Sequence, residues 1–301
     1  MVTWLAVLNR RRFLHVSAGL PLGCTIATAK AAPSTPKPDR IAVLDWTLAE
    51  MALQLGLNTV ALTETDGYHQ WVGLPKLPAS TVELGLRSTP NLEMLIQVKP
   101  DLILLNEGQA GAIPALALIA PCISAAIYTS NGQPYVKAQS ELRRLGALFG
   151  RSEAAEIAIN LAEAAIVRGR ATMRGYARPV YLARFIDERN VMVFGRNSLF
   201  QDVLDRMGVI NAWTGKTNPW GYAIVGIDRL ASANEAHLLY LGLSDTDLIQ
   251  VEAKSAVWRN LPFVRHNRIS VLPGMWFFGA VASAEKFAHG VVAALPSGGV
   301  P

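Results

Sequence analysis

From Arg40 onward, apolar runs alternate with segments of helical period, and this alternation restricts the fold more than any other feature of the chain. RIAVLD reads as a buried strand, LAEMALQLG as a helix closed by Gly56, and TVALTE as a second strand. In VELGLRSTPNLEMLIQVKPDLILL, Thr89 reads as an N-cap, Pro90 as the first helical position and residues 91–98 as a short helix. Pro100 stops that helix, and residues 101–105 read as a buried parallel strand. CISAAIY and PYVKAQSELRRLGALFG continue as strand and helix. Strands that return through helices build a parallel sheet covered on its faces.

Residues 152–174 predict an unusually long helix, with Ser152 as N-cap and Glu153 and Glu156 in its first turn. Ile157, Leu161 and Ala164/Ala165 recur at helical spacing along it. A second set of alternating elements then begins at RPVYLARFI and runs through SLFQDVLDRMG, GIDRLASA, HLLYLGL, AVWRNLPFV and RISVL to a C-terminal helix from about Val281. The expected fold is therefore α/β: two Rossmann-like lobes with mostly parallel sheets, residues 32–150 and 176–301, joined by one long helix at 151–175. A faint internal repeat fits two halves. LEMLIQVKPDLILL and IDRLASANEAHLLYL both run short helix, polar breaker, apolar strand, with Glu93 and Asp228 near their starts, although any two αβ units share that outline.

Residues 1–31 stand outside the pattern. A charged NRRRFLH, an apolar run from Phe13 to Ala29 and the triplet Ala29-Lys30-Ala31 have the layout of a cleaved export leader. The apolar run is short for a membrane span and contains His15. The paired arginines before x-Phe-Leu resemble a twin-arginine signal, which exports folded proteins; an ordinary secretory leader is the plainer alternative. In PLGC the leucine is one place off a lipobox, so Cys24 argues weakly for a lipid anchor, and the expected location is the periplasm. AAPSTPKPD follows as a flexible spacer. Removing the leader takes four basic residues and no acid from a formal charge of +5, leaving +1. That balance gives no support to nucleic-acid or membrane-surface binding. Cys122 alone remains, which excludes an intramolecular disulfide and a multi-thiolate metal site.

Catalytic signatures are missing: the chain has no G-x-S-x-G, H-E-x-x-H, C-x-x-C or G-x-G-x-x-G. TGKT lacks the first glycine of a phosphate loop, where Ile210 stands. His69, His237, His266 and His289 share no spacing and read as surface or hydrogen-bonded residues. The chain is expected not to be an enzyme. An exported enzyme whose groups converge only in space is the different-class alternative.

Aromatic residues are more informative. Trp46, Trp71, Trp220 with Tyr222, and Trp276 with Phe277 and Phe278 fall on segments read as Gly/Pro-bounded loops, whereas Trp213 and Trp258 fall in apolar runs and read as core. Each alone is ordinary packing; together with Arg87, on a loop just ahead of a helix, they suggest an aromatic cleft between two lobes.

GLRSTPNLEML, VFGRNSLFQDVLD, NAWTGKTNPWG, IDRLA, LPFVR and MWFFGA, in this order, resemble the periplasmic ferric-hydroxamate-binding proteins of ABC importers. The likeness covers essentially the whole chain after the leader. It implies a class III periplasmic binding protein, with two lobes on one long helix, a shallow aromatic cleft and little hinge closure. It implies a ferric hydroxamate siderophore as cargo, no intrinsic cofactor and no protein metal ligand, because a trihydroxamate already gives Fe(III) six hard oxygens. Arg87 would donate to those oxygens, and Trp46, Trp71, Met192, Trp220, Trp276 and Phe277 would line the cleft. Departures affect ligand choice: Gln109 stands where the family pattern has a cleft tyrosine, Leu105 for a tryptophan, Phe278 for a tyrosine, and Tyr222 for a small residue, where it would restore a phenol to the cleft. Gln109, Tyr222 and Phe278 are still expected to contact the ligand. Another siderophore, haem or a corrinoid is the alternative cargo. Glu93 and Asp228 match the acids that dock such carriers to a membrane permease, with solvated helix acids as the plainer reading. A monomer is expected.

Overall fold

The computed structural model describes residues 38–243, 255–272 and 274–296. The leader, with its arginine pair, cleavage site and Cys24, lies outside these residues, as does most of the spacer. Ten strands are described: β1 Ile41–Val43, β2 Thr59–Leu62, β3 Val82–Glu83, β4 Leu102–Asn106, β5 Cys122–Ala125, β6 Val180–Phe185, β7 Asn190–Phe194, β8 Tyr222–Gly226, β9 His237–Tyr240 and β10 Ile269–Val271. The helices that frame them are α1 Trp46–Gln54, α2 Leu92–Val98, α3 Pro134–Phe149, α4 Ser152–Thr172, α5 Leu199–Met207 and α6 Val281–Ala294.

The first sheet has the order β3-β2-β1-β4-β5, and every pairing in it is parallel. Its central strand, Ile41–Val43, is fully buried, as an apolar strand covered on both faces must be. The second sheet has the order β10-β9-β6-β7-β8 and is mixed. β6 pairs with β9, and β9 with β10, in parallel, whereas β7 runs antiparallel to both β6 and β8. A tight turn makes the β6–β7 hairpin: Asp187 Oδ1 accepts from the Arg189 and Asn190 amides at 2.7 and 2.8 Å. β7 and β8 break the expected alternation: β7 returns from β6 through the Asp187 turn, and β8 follows α5 only after the long segment between Met207 and Tyr222. Tyr222, expected in a turn, is the first residue of β8, and Met192 lies mid-strand in β7.

Local chemistry moves two helix starts. Asn91, rather than Thr89, caps α2: its Oδ1 accepts from the Met94 amide at 3.0 Å. Pro90 is held instead in an antiparallel bridge with Gly85, whose φ of 76° suits glycine. Ser152 is the first helical residue of α4 and makes no cap. The buried face of α4 also differs from the expected stripe. Ala155, Ala158, Ile159, Ala162, Ala165, Ile166 and Gly169 are buried, whereas Ile157 and Leu161 are about half exposed, at 54% and 52%. Small residues win the interior because neighbouring elements press close: a Cβ on Gly169 would stand 2.6 Å from the Met207 methyl.

One apolar core runs through both halves. It joins α1, α3, α4, α5 and α6 with β1, β4 and β6, and it includes Trp276 and Phe277. The segment entering α6 is also tied to the first half by hydrogen bonds. Glu50 of α1, fully buried, accepts from the Ala280 and Ser283 amides at 3.1 and 2.9 Å and from Ser283 Oγ at 2.5 Å. Thr47 Oγ1 donates to the Phe278 carbonyl, Tyr128 Oη to that of Gly279, and Lys286 Nζ to those of Val72 and Gly274. Glu50 thereby satisfies the first amides of α6 across the junction, in place of a local cap.

Candidate functional site

Parallel strands deliver their next residues to a common edge, and the chain builds a cavity there. Asp45 follows β1, Glu64 follows β2, Asn106 ends β4, and Ala126, Ile127 and Tyr128 follow β5. All of them line a cavity of about 800 Å3, together with Arg87, Ser88 and Gln109 of the first half and Trp220, Tyr222, Trp276 and Phe278 of the second.

Arg87 is fixed from several sides. Its Nε donates to Glu64 Oε2 at 2.8 Å, and its own amide donates to Glu64 Oε1 at 3.0 Å. The guanidinium carbon lies 3.9 Å from the Trp46 ring centroid and 5.3 Å from that of Trp276. Glu64 is held in turn in a left-handed conformation, φ 51°, by the Glu83 carboxylate, which accepts from the Glu64 and Thr65 amides. Burial alone would raise the Glu83 pKa, but bonds from Thr65, Glu64 and Gly85 hold it below the usual carboxylate value. The Arg87 terminal nitrogens have no partner among the described residues, so a stacked, fixed cation faces the cavity with two unused donor groups.

Beneath Arg87 runs a network that its neighbours in sequence did not reveal. Gln109 closes a capping box with Asn106: its Oε1 accepts from the Asn106 amide and its own amide donates to Asn106 Oδ1, both at 3.1 Å. Its Nε2 donates to the Leu44 and Arg87 carbonyls, each at 2.9 Å. Asn106 Nδ2 reaches Asp45 Oδ2 at 2.9 Å, while Asp45 Oδ1 caps α1 through the Thr47 and Leu48 amides. Both amide hydrogens of Gln109 are therefore engaged, and its side chain braces the loop that carries Arg87.

The aromatic wall forms from both halves. Tyr128 stacks on Trp220 with centroids 5.6 Å apart and planes 17° apart, and Phe278 meets both rings edge-on. Burial, reinforced by the carboxylates of Glu50, Asp45 and Asp202, raises the Tyr128 phenol well above its ordinary pKa.

Not every expected residue faces this cavity. Trp46 is not on a loop: it opens α1, is 4% exposed, donates its indole hydrogen to the Thr63 carbonyl at 2.9 Å and supports Arg87 from behind. Leu105 is fully buried in a separate cluster with Leu84, Leu95 and Leu116, away from the lining. Trp71, Met192 and Phe277 also lie outside the lining. Trp71 packs edge-on to Phe277 at 5.9 Å and beneath the Arg184 guanidinium at 4.7 Å, and Met192 stands opposite Arg184 and Ile224 in the second sheet. Phe277, which meets Phe278 at 4.8 Å, links Trp71 to the back of the aromatic wall, and Met192 packs against the shared core. Residues missed from sequence, Asp45, Glu64, Asn106 and Tyr128, share one signal: each ends or follows a parallel strand. Glu93, in the first turn of α2, and Asp228, in the turn Ile227–Ser232, are solvent-exposed on different halves.

Two α/β lobes enclosing such a cleft define a substrate-binding protein, and the family model described as periplasmic binding protein matches residues 41–275. The chain belongs to the periplasmic binding protein family. It is 37% identical over 286 residues to the iron(3+)-hydroxamate-binding protein FhuD of Escherichia coli (strain K12), covering 94% of this chain and 95% of that protein. Its structure is similar to the siderophore-binding protein FhuD of Vibrio cholerae, solved with bound Fe3+–Desferal, with TM-score 0.80, 29% identity and coverage of 85% and 97% of the two chains. The petrobactin-binding protein YclQ of Bacillus subtilis shares the fold at TM-score 0.71 and 18% identity, over 85% and 92% of the two chains.

Proposed function

We propose that the protein is a non-catalytic periplasmic carrier that captures ferric hydroxamate siderophores in this cleft and delivers them to the permease of an ABC importer. The observation that carries the reading is Arg87: a guanidinium stacked on Trp46, held by Glu64, with unused donors facing a cavity of about 800 Å3. A ferric trihydroxamate is coordinatively complete, so recognition falls on its partly negative oxygens and its apolar backbone. A fixed cation beside Trp220, Tyr222, Trp276 and Phe278 matches both surfaces. The identity to a protein named for iron(3+)-hydroxamate binding supports the same cargo.

The carrier works as a monomer of two lobes, residues 32–150 and 176–301, about the helix at 151–175. A twin-arginine leader ending near Ala31 exports it. Glu93 on one lobe and Asp228 on the other dock to basic pockets of the permease, where complementary charge sets orientation and speeds encounter. Desalting the purified protein after incubation with ferrichrome tests the reading. Iron and the broad visible hydroxamate band should comigrate with the protein at a 1:1 ratio, and haem should not displace them. Ferrichrome that separates completely from the protein would refute it.

A further inference from the structure

We propose that Tyr222 is a second ligand donor, gripping the hydroxamate oxygens from the lobe opposite Arg87. The proposal rests on the reading of the cleft as a ferric-hydroxamate site and assigns the part of that site which the second lobe supplies.

The polar groups on the first-lobe wall are largely engaged with protein. Asn106 Nδ2 is bound to Asp45, Thr47 Oγ1 to the Phe278 carbonyl, Tyr128 Oη to the Gly279 carbonyl, and both Gln109 amide hydrogens to the Leu44 and Arg87 carbonyls. The donors that remain on that side are the Arg87 guanidinium end and the exposed Ser88 hydroxyl; the exposed Glu107 carboxylate, also in the lining, can only accept. Of the side chains that the second lobe adds to the lining, Trp220, Tyr222, Trp276 and Phe278, only Tyr222 carries a hydroxyl. That hydroxyl has no hydrogen-bond partner among the described residues.

The phenol is also held in place before any ligand arrives. Asn218 Oδ1 accepts from the Trp220 and Tyr222 amides at 3.0 and 3.2 Å, and the Asn218 amide donates to the Tyr222 carbonyl at 2.9 Å. Gly221, at φ 84°, presses this turn against α5 so closely that a Cβ there would lie 2.2 Å from the Ser198 nitrogen. The ring packs on Phe278 at 5.9 Å and on Phe194 at 6.3 Å. A donor fixed in this way loses little rotamer freedom on binding. With Arg87 across the cleft, one chelate is held from both lobes, and binding reads the distance between them.

The test is fluorescence titration of wild type and Tyr222→Phe with ferrichrome and with ferrioxamine, alongside melting curves and visible spectra of the complexes. The substitution keeps the ring and removes a hydroxyl that the free protein does not use. The expected result is binding about tenfold weaker, an unchanged melting temperature, and a displaced charge-transfer band, because the phenol no longer donates to an iron-bound oxygen. Saturable wild-type binding with Tyr222→Phe within about twofold and an unshifted band would overturn the role of Tyr222 and leave the cleft reading standing. No wild-type binding of either chelate would sink both.

Discussion

Replacing Glu50 separates two roles of one buried carboxylate. In Glu50→Ala, the Ala280 and Ser283 amides and the Ser283 hydroxyl lose their acceptor inside a sealed junction. Each unpaired buried donor costs roughly 1–3 kcal/mol, and the hydroxyl can turn elsewhere, so two stranded amides and a small cavity cost about 4 kcal/mol. For a chain of this size that lowers the melting temperature by roughly 10 °C. Glu50→Gln keeps one oxygen for both amides and offers a hydrogen to Ser283 Oγ, so it should cost under about 1 kcal/mol at neutral pH. It also removes a charge that the site disfavours, since desolvation outweighs the hydrogen bonds and raises the Glu50 pKa. A raised carboxyl favours folding fully below its unfolded value and loses that contribution as pH rises through the folded value. Wild type should therefore lose stability relative to Glu50→Gln between acid and neutral pH. Chemical denaturation of the three proteins from pH 4 to 8 reads both effects. If Gln is as damaging as Ala, or the two curves stay parallel in pH, the reasoning fails.

Other expectations follow from single groups. Gln109→Ala breaks three side-chain hydrogen bonds and should cost about 2 kcal/mol in denaturant melts, while weakening ferrichrome binding through a loosened Arg87 loop. His237 is held near a pKa of about 4 by burial, with Arg178 and Arg268 adding to it, so its neutral form stabilises the fold above 6.5. That contribution, at most about 3 kcal/mol, should be lost as pH falls from 6.5 toward 4, and His237→Gln should flatten that slope in pH-dependent melts. Glu93→Lys with Asp228→Lys should leave ferrichrome binding in solution within about twofold yet cut hydroxamate-dependent iron uptake by cells about tenfold or more. Normal uptake by that variant would remove both acids from docking.

The alternation of apolar strands and helices made the two lobes and the long helix legible, because burial on both faces writes the pattern directly into sequence. It could not announce β7 and β8, which pair antiparallel, β7 through a tight turn and β8 through a long loop after α5, outside the helix-then-parallel-strand pattern. The sequence also pointed to Thr89 as the α2 cap, whereas the Gly85–Pro90 bridge holds Pro90 outside the helix and leaves Asn91, an equally good cap, at that position. At the site, Arg87 was legible from its place on a loop ahead of a helix. The engagement of Gln109 was not, because Leu44 lies 65 positions away in the chain. Trp46 misled for a related reason: a tryptophan after a strand end is as well suited to carrying an arginine as to touching a ligand, and only packing separates the two.

One titration tests the role of Arg87 most directly. Intrinsic tryptophan fluorescence should fall saturably as ferrichrome is added to the protein and stay unchanged with a ferric catecholate. Arg87→Ala should need at least about tenfold more ferrichrome for the same quenching. Quenching by the catecholate alone, or an Arg87→Ala protein that binds ferrichrome as well as wild type, would contradict the claim that this fixed guanidinium recognises a hydroxamate.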